Sequence, residues 1–178
     1  MYSMHQSGFW NLERQTNLLD GAAHFYDTYE CKDGKYVSIG SIEPQFYALL
    51  CEKAELSIDD FGDQMKRDTW QNKKQLIKDV FLTKTREEWC DLMEGSDVCF
   101  APVLDMSEAP LHPHNIARQT FIEIEGVTQP APAPRFDRTQ NEITLPPAIA
   151  GEHSKEILES IGIDSNEYDR LISSGSVV

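Results

Sequence analysis

The chain has 178 residues, with 30 acidic against 16 basic side chains and a formal charge of −14, a balance that repels a phosphate backbone and makes nucleic acid an unexpected partner. Apolar residues make up 40% of the composition, too many for wholesale disorder, and no apolar run approaches the roughly 20 residues that span a bilayer. A soluble, globular, cytoplasmic protein with no membrane partner is the expectation, since no basic-then-apolar leader opens the chain.

Residues 11–21 are polar around a leucine pair and lead into residues 24–31, whose aromatic and β-branched side chains predict a strand. Lys32-Asp33-Gly34 supplies an Asp-Gly turn, and residues 35–40 resume the alternation, so the two runs pair as a hairpin. Pro44 suits the first turn of a helix, where its missing N–H costs nothing, and Phe46, Tyr47, Leu49, Leu50 and Ala54 give that helix an apolar face. Further helices are predicted over 69–82, from Trp70, Leu76, Ile77, Val80 and Phe81, and from the Thr85-x-x-Glu88 capping box to Gly95.

Residues 98–104 read as a short apolar strand, after which seven prolines between 110 and 147 mark a connector. Within it, residues 121–127 alternate as an exposed strand does, and residues 129–134 run extended because each proline disfavours helix in its predecessor. Two short helices close the chain, one over 153–161 and one opened by Asp164-x-x-Glu167. The strap and tail carry little core of their own and look made to wrap another body of protein.

Few residues offer chemistry. Cys31, Cys51, Cys90 and Cys99 form no metal-ligand spacing and read as reduced thiols, Cys51 and Cys90 on helical apolar faces and Cys99 inside the apolar strand. Lys66, Arg67, Lys73, Lys74 and Lys78 read as the solvated face of a helix. His112 and His114 lack a third ligand and fit turn or capping roles near Asn115; His24 and His153 read as structural. Glu43 stands out as a carboxylate between a strand end and a proline-started helix, where main-chain N–H groups and the helix dipole favour its charge.

Four stretches then carry a resemblance: Asn17-Leu18-Leu19-Asp20-Gly21 with Phe25-Tyr26; Asp33-Gly34-Lys35 with Gly40-Ser41-Ile42-Glu43-Pro44-Gln45-Phe46-Tyr47; Pro102-Val103-Leu104 with residues 112–118; and residues 129–136, closed by Gly151-Glu152-His153. In this order and spacing the chain resembles the family III CoA-transferases and, within them, the α-methylacyl-CoA racemases. The resemblance implies an α/β fold in which an α+β small domain, built of a β-hairpin and helices, is followed by a strap and C-terminal helices that complete a Rossmann-like large domain. It divides the chain into a linker from an N-terminal large domain (1–20), the small domain (21–110) and the strap with its returning helices (111–178).

The resemblance also implies an activity in lipid metabolism: removal and return of the proton next to the thioester carbonyl of a 2-methylacyl-CoA, through an enolate. The partners would be the acyl-CoA substrate and a second copy of the chain in an interlocked homodimer, with no cofactor because the CoA thioester is itself the substrate. Glu43 aligns with the family's active-site glutamate, which orients a histidine of the N-terminal half, while Gly21 and Tyr47 would line the substrate site. Ala22-Ala23-His24 stand where the racemases carry a glycine and a proline, a departure that bears on acyl-chain preference. Two alternatives are a CoA-transferase working through an acyl-aspartate, favoured less by the Glu43-Pro44-Gln45-Phe46-Tyr47 stretch, and a non-enzymatic small domain that binds a partner.

Overall fold

A computed structural model describes residues 1–177, with the backbone alone at position 58, as two compact units, Met1–Met106 and Ser107–Val178. In the first, helix α1 (Tyr2–Gln6) is followed by a loop organised by Asn17, which is buried. The Asn17 amide donates to an Asp20 carboxylate oxygen (2.7 Å) and to the Asn11 carbonyl (3.2 Å), and its own oxygen accepts from the Asn11 N–H (2.9 Å). Side-chain amides satisfy main-chain groups that no ladder reaches, which lets an irregular segment pass beside the core.

The hairpin forms as the alternation predicts, from β1 (Tyr26–Glu30) and β2 (Tyr36–Gly40), paired antiparallel with Tyr29 opposite Val37. Gly34 supplies the left-handed turn residue, at φ +73. The first strand is shorter than the expected 24–31, because the Tyr26 N–H turns back to the Ala23 carbonyl (3.0 Å) and leaves His24 and Phe25 outside the ladder. Strand β3 (Phe100–Val103) pairs antiparallel with β2, giving the order β1-β2-β3.

Helices α2 (Pro44–Lys53), α3 (Ile58–Phe61), α4 (Trp70–Phe81) and α5 (Arg86–Met93) pack the remaining core. The α5 capping box is complete: the Thr85 hydroxyl accepts the Glu88 N–H (3.2 Å), and the Glu88 carboxylate accepts the Thr85 N–H (2.7 Å). Aromatic rings dominate the interior, with Tyr29 stacked on Phe81 at 5.2 Å, Phe81 edge-on to Trp89 at 5.0 Å, and Phe25 edge-on to Trp70 at 5.7 Å.

Two further sequence expectations, on Lys73 and Cys99, also fail in this unit. Lys73 is not solvated: it is buried with Trp70, Ile77 and Phe81, because positions three and seven after Trp70 share its helix face whatever their polarity. Lys78 does stay exposed, while Lys74 lies half-buried in an ion pair with Asp27. Cys99 is not a core strand residue either. It precedes β3, is exposed, and has a left-handed backbone at φ +58, because its carbonyl turns to accept the Gly40 N–H (2.8 Å).

In the second unit, α6 (Pro113–Ala117) has His112 at its N-cap position, as the capping role allows, though without a side-chain capping bond, and Asn115 donates to the Ala109 carbonyl (2.8 Å). The predicted single strand over 121–127 is a hairpin, β4 (Phe121–Ile124) and β5 (Val127–Pro130). Glu125 and Gly126 both have positive φ, +49 and +80, the geometry of the tight turns that match strand twist, and so the extended 129–134 run begins inside β5. The closing helices are α7 (Ser154–Ser160) and α8 (Ser165–Ser173), the latter capped by the Asp164 carboxylate accepting the Glu167 N–H (2.9 Å). No described residue of this unit is buried.

Candidate functional site

Glu43 is the N-cap of α2, one residue before Pro44, with extended backbone (φ −70, ψ 142). Its carbonyl accepts the Tyr47 N–H (3.0 Å), but its exposed side chain makes no capping bond to the helix. The expected hold by main-chain N–H groups is therefore absent. The Glu43 charge acts on the Cys99 thiol, whose pKa is raised by partial desolvation and then by that charge.

The backbone under Glu43 is held from several sides. Ser41 is buried; its N–H donates to the Phe25 carbonyl (3.0 Å) and its hydroxyl to the Val98 carbonyl (2.5 Å). The Gln64 amide donates to the carbonyls of Ser41 (3.0 Å) and Ile42 (2.9 Å). Three separate segments thus converge on two residues, and Glu43 projects from the corner they fix.

Gly21 lines a groove of about 440 Å³ on the three-stranded sheet, together with Tyr26, Asp27, Ser38, Gly40 and Cys99. Its φ is +88, a Cβ there would stand 3.2 Å from an Asp27 carboxylate oxygen, and its carbonyl accepts from the Lys74 ammonium that pairs with Asp27. Gly21→Ala is expected to destabilise the protein by about 1–2 kcal/mol, read as a lower urea midpoint. An unchanged midpoint would show that the turn tolerates a side chain.

Tyr47 lines a different cavity, of about 450 Å³ and largely apolar, with Pro44, Ala48, Cys51, Leu56 and Phe61. Its hydroxyl donates to the Phe61 carbonyl (2.9 Å) and so accepts from the His24 ring at Nε2 (2.8 Å). Burial raises the Tyr47 pKa far above the ordinary phenol value, so the hydroxyl stays protonated. The fold thus places Gly21 and Tyr47 in separate cavities, and Glu43 lines neither of them.

His24, read from sequence as a strand residue, lies fully buried against Phe25 and Phe61 at ring distances of 5.0 and 5.8 Å. Its Nδ1 has no hydrogen-bond partner. Burial, then the Lys73 ammonium, lowers its pKa to about 3, so the ring is neutral. The cysteines are poor nucleophiles: burial pushes Cys31 and Cys90 up to about 11 and raises Cys51 as well. Sequence reading missed Gln64 and misplaced Lys73 on a solvated face. The three-residue step from Trp70 could have flagged Lys73, whereas nothing local marks Gln64.

Among the described residues no helix is long and apolar enough to cross a membrane. Residues 2–154 match the family described as CoA-transferase family III. The chain is 38% identical over 184 residues to α-methylacyl-CoA racemase of Mus musculus, a match covering 98% of this chain and 48% of that protein. With the Homo sapiens protein of the same name it is 38% identical over 185 residues, covering 99% and 48%. Succinyl-CoA:glutarate CoA-transferase of Mus musculus is 28% identical over 163 residues, covering 85% and 37%. The chain therefore spans about half the length of the curated relatives it matches. A crystal structure of the hypothetical protein Rv3272 from Mycobacterium tuberculosis superposes with a TM-score of 0.61 at 21% identity, over 79% of this chain and 41% of that one, and shares its fold. With the family match running through the Ser41–Glu43 corner and most of the rest of the sequence, the chain belongs to CoA-transferase family III.

Proposed function

We propose that this chain is the C-terminal half of an acyl-CoA racemase that interconverts the (2R) and (2S) forms of a 2-methylacyl-CoA by removing and returning the α-proton. The observation that carries the reading is the 38% identity to the mouse racemase across 98% of the chain, against 28% across 85% for the mouse succinyl-CoA:glutarate transferase. Glu43 is the residue this half contributes to proton transfer, as the orienting partner of a base supplied by the N-terminal half. Gly21 and Tyr47 act as contacts in the substrate region, and the CoA thioester needs no further cofactor. Residues 1–20 serve as the linker from the large domain, 21–110 as the small domain and 111–178 as the strap returning to it. The exposed apolar side chains of the second unit, Leu111, Ile149 and Ile161 among them, suit a homodimer in which strap and tail lie on other protein. The free thiols suit the cytoplasm.

Deuterium incorporation at the α-carbon of a 2-methylacyl-CoA in heavy water tests this reading. The complete protein should exchange the proton, and residues 1–178 alone should not. CoA transfer to a free acid without exchange would replace it by the transferase reading, and neither activity would leave a non-enzymatic module.

A further inference from the structure

Glu43 makes no capping bond of its own, so its direction depends on the main chain of residues 41–43. Two of the carbonyls there, Ser41 and Ile42, accept from one side-chain amide, that of Gln64. Both acceptors are carbonyl oxygens, so the amide must face them with its NH₂ group, and its two N–H bonds match two adjacent acceptors.

Gln64 lies between α3 and α4, outside any helix or strand, where a side chain has no rigid base unless the loop is itself held. The loop is held at two consecutive carbonyls by two side chains one turn apart on α4. The Trp70 indole N–H donates to the Gln64 carbonyl (2.8 Å), and the Lys73 ammonium donates to the Asp63 carbonyl (2.6 Å). Trp70 and Lys73 are only 4% and 3% exposed, so both donors are anchored in the core. Burial lowers the Lys73 pKa, an unfavourable setting for an ammonium that an apolar side chain would avoid. What the buried ammonium provides is the grip on the loop carbonyl.

We propose that Gln64, clamped by Trp70 and Lys73, is the positioning residue for Glu43. The helix α4 face grips the carbonyls of 63 and 64, the Gln64 amide grips those of 41 and 42, and Glu43 follows as the next residue. Gln64 touches no reacting atom in this scheme; its role rests on the racemase reading of Glu43, while the clamp itself does not.

The test compares the complete protein with its Gln64→Met variant, which keeps the length of the side chain and removes both donors. Three readouts are taken: α-proton exchange kinetics, melting temperature, and amide hydrogen exchange of the segment 40–47. Expected are a kcat lowered about tenfold or more with KM within about twofold, a melting temperature close to the parent's, and exchange accelerated about tenfold in 40–47 but not in 100–103. Lys73→Met keeps the length of the buried side chain and removes the grip on the Asp63 carbonyl; it should shift the same readouts in the same direction by less, and stands in should Gln64→Met not fold. An unchanged kcat in an active parent overturns the positioning role, and so does a loss that merely tracks global unfolding. If the parent shows no α-proton exchange, the racemase reading fails separately. The clamp is then supported by local acceleration in 40–47 and overturned by its absence.

Discussion

Glu43→Gln in the complete protein is expected to lower α-proton exchange of a 2-methylacyl-CoA by on the order of 100-fold, the scale of a group that serves proton transfer. The substitution keeps size, removes the charge and turns one acceptor oxygen into an NH₂ donor. Stability should barely move, because the side chain is exposed and makes no capping bond, and the corner that carries it is held through main-chain groups. A melting temperature within about 2 °C of the parent, with the exchange rate measured in heavy water, separates loss of chemistry from loss of fold. Full activity in the variant would remove Glu43 from the mechanism. A loss with equally large destabilisation would make it a structural residue.

Acid should weaken the first unit through His24, over a range where carboxylates are still largely ionised. The folded ring has a pKa of about 3, whereas the same residue in an unfolded chain titrates near 6.5. Below 6.5 the unfolded chain takes up a proton that the folded chain refuses. Stability is therefore fully present above 6.5, is lost progressively down to about 3, and changes no further from this group below that. Linkage gives a loss of about 2 kcal/mol between pH 7 and pH 5. The orphaned Nδ1 would carry the added proton with no acceptor, among aromatic rings and near the Lys73 ammonium, which is why the folded state refuses it. Urea unfolding at pH 7, 6 and 5, followed by tryptophan fluorescence, reports on this unit because all three tryptophans lie within it. His24→Leu should flatten the slope by that amount. An equal slope in the variant would assign the acid sensitivity elsewhere.

His24 and Lys73 show how a polar side chain is drawn inside by its neighbours. His24 sits between Ala23 and Phe25, and Lys73 between Trp70 and Ile77 on one helix face, all of them buried. Each meets a partner that is distant in sequence: His24 reaches Tyr47 across 23 residues, and Lys73 reaches Asp63 across 10. The same holds for Ser41, whose hydroxyl finds the Val98 carbonyl 57 residues away.

What the amino-acid order determined by itself is local and periodic. The Asp33-Gly34 turn and its flanking alternation are enough for the hairpin, Pro44 for the start of α2, and the Thr85-x-x-Glu88 box for α5, because each depends on hydrogen bonds and steric limits within a few residues. The motif stretches also pointed to CoA-transferase family III and singled out Glu43. The 121–127 run shows the limit of pattern: alternation announced a strand, but the left-handed pair Glu125-Gly126 folded it back on itself. Only the tertiary structure decided that Lys73 is inside and Cys99 outside, that Gly21 and Tyr47 line separate cavities, and that Gln64 holds the corner beneath Glu43. Those outcomes depend on which main-chain carbonyls end up near which donors once the helices pack on the sheet, and a chain read in order carries no record of that proximity.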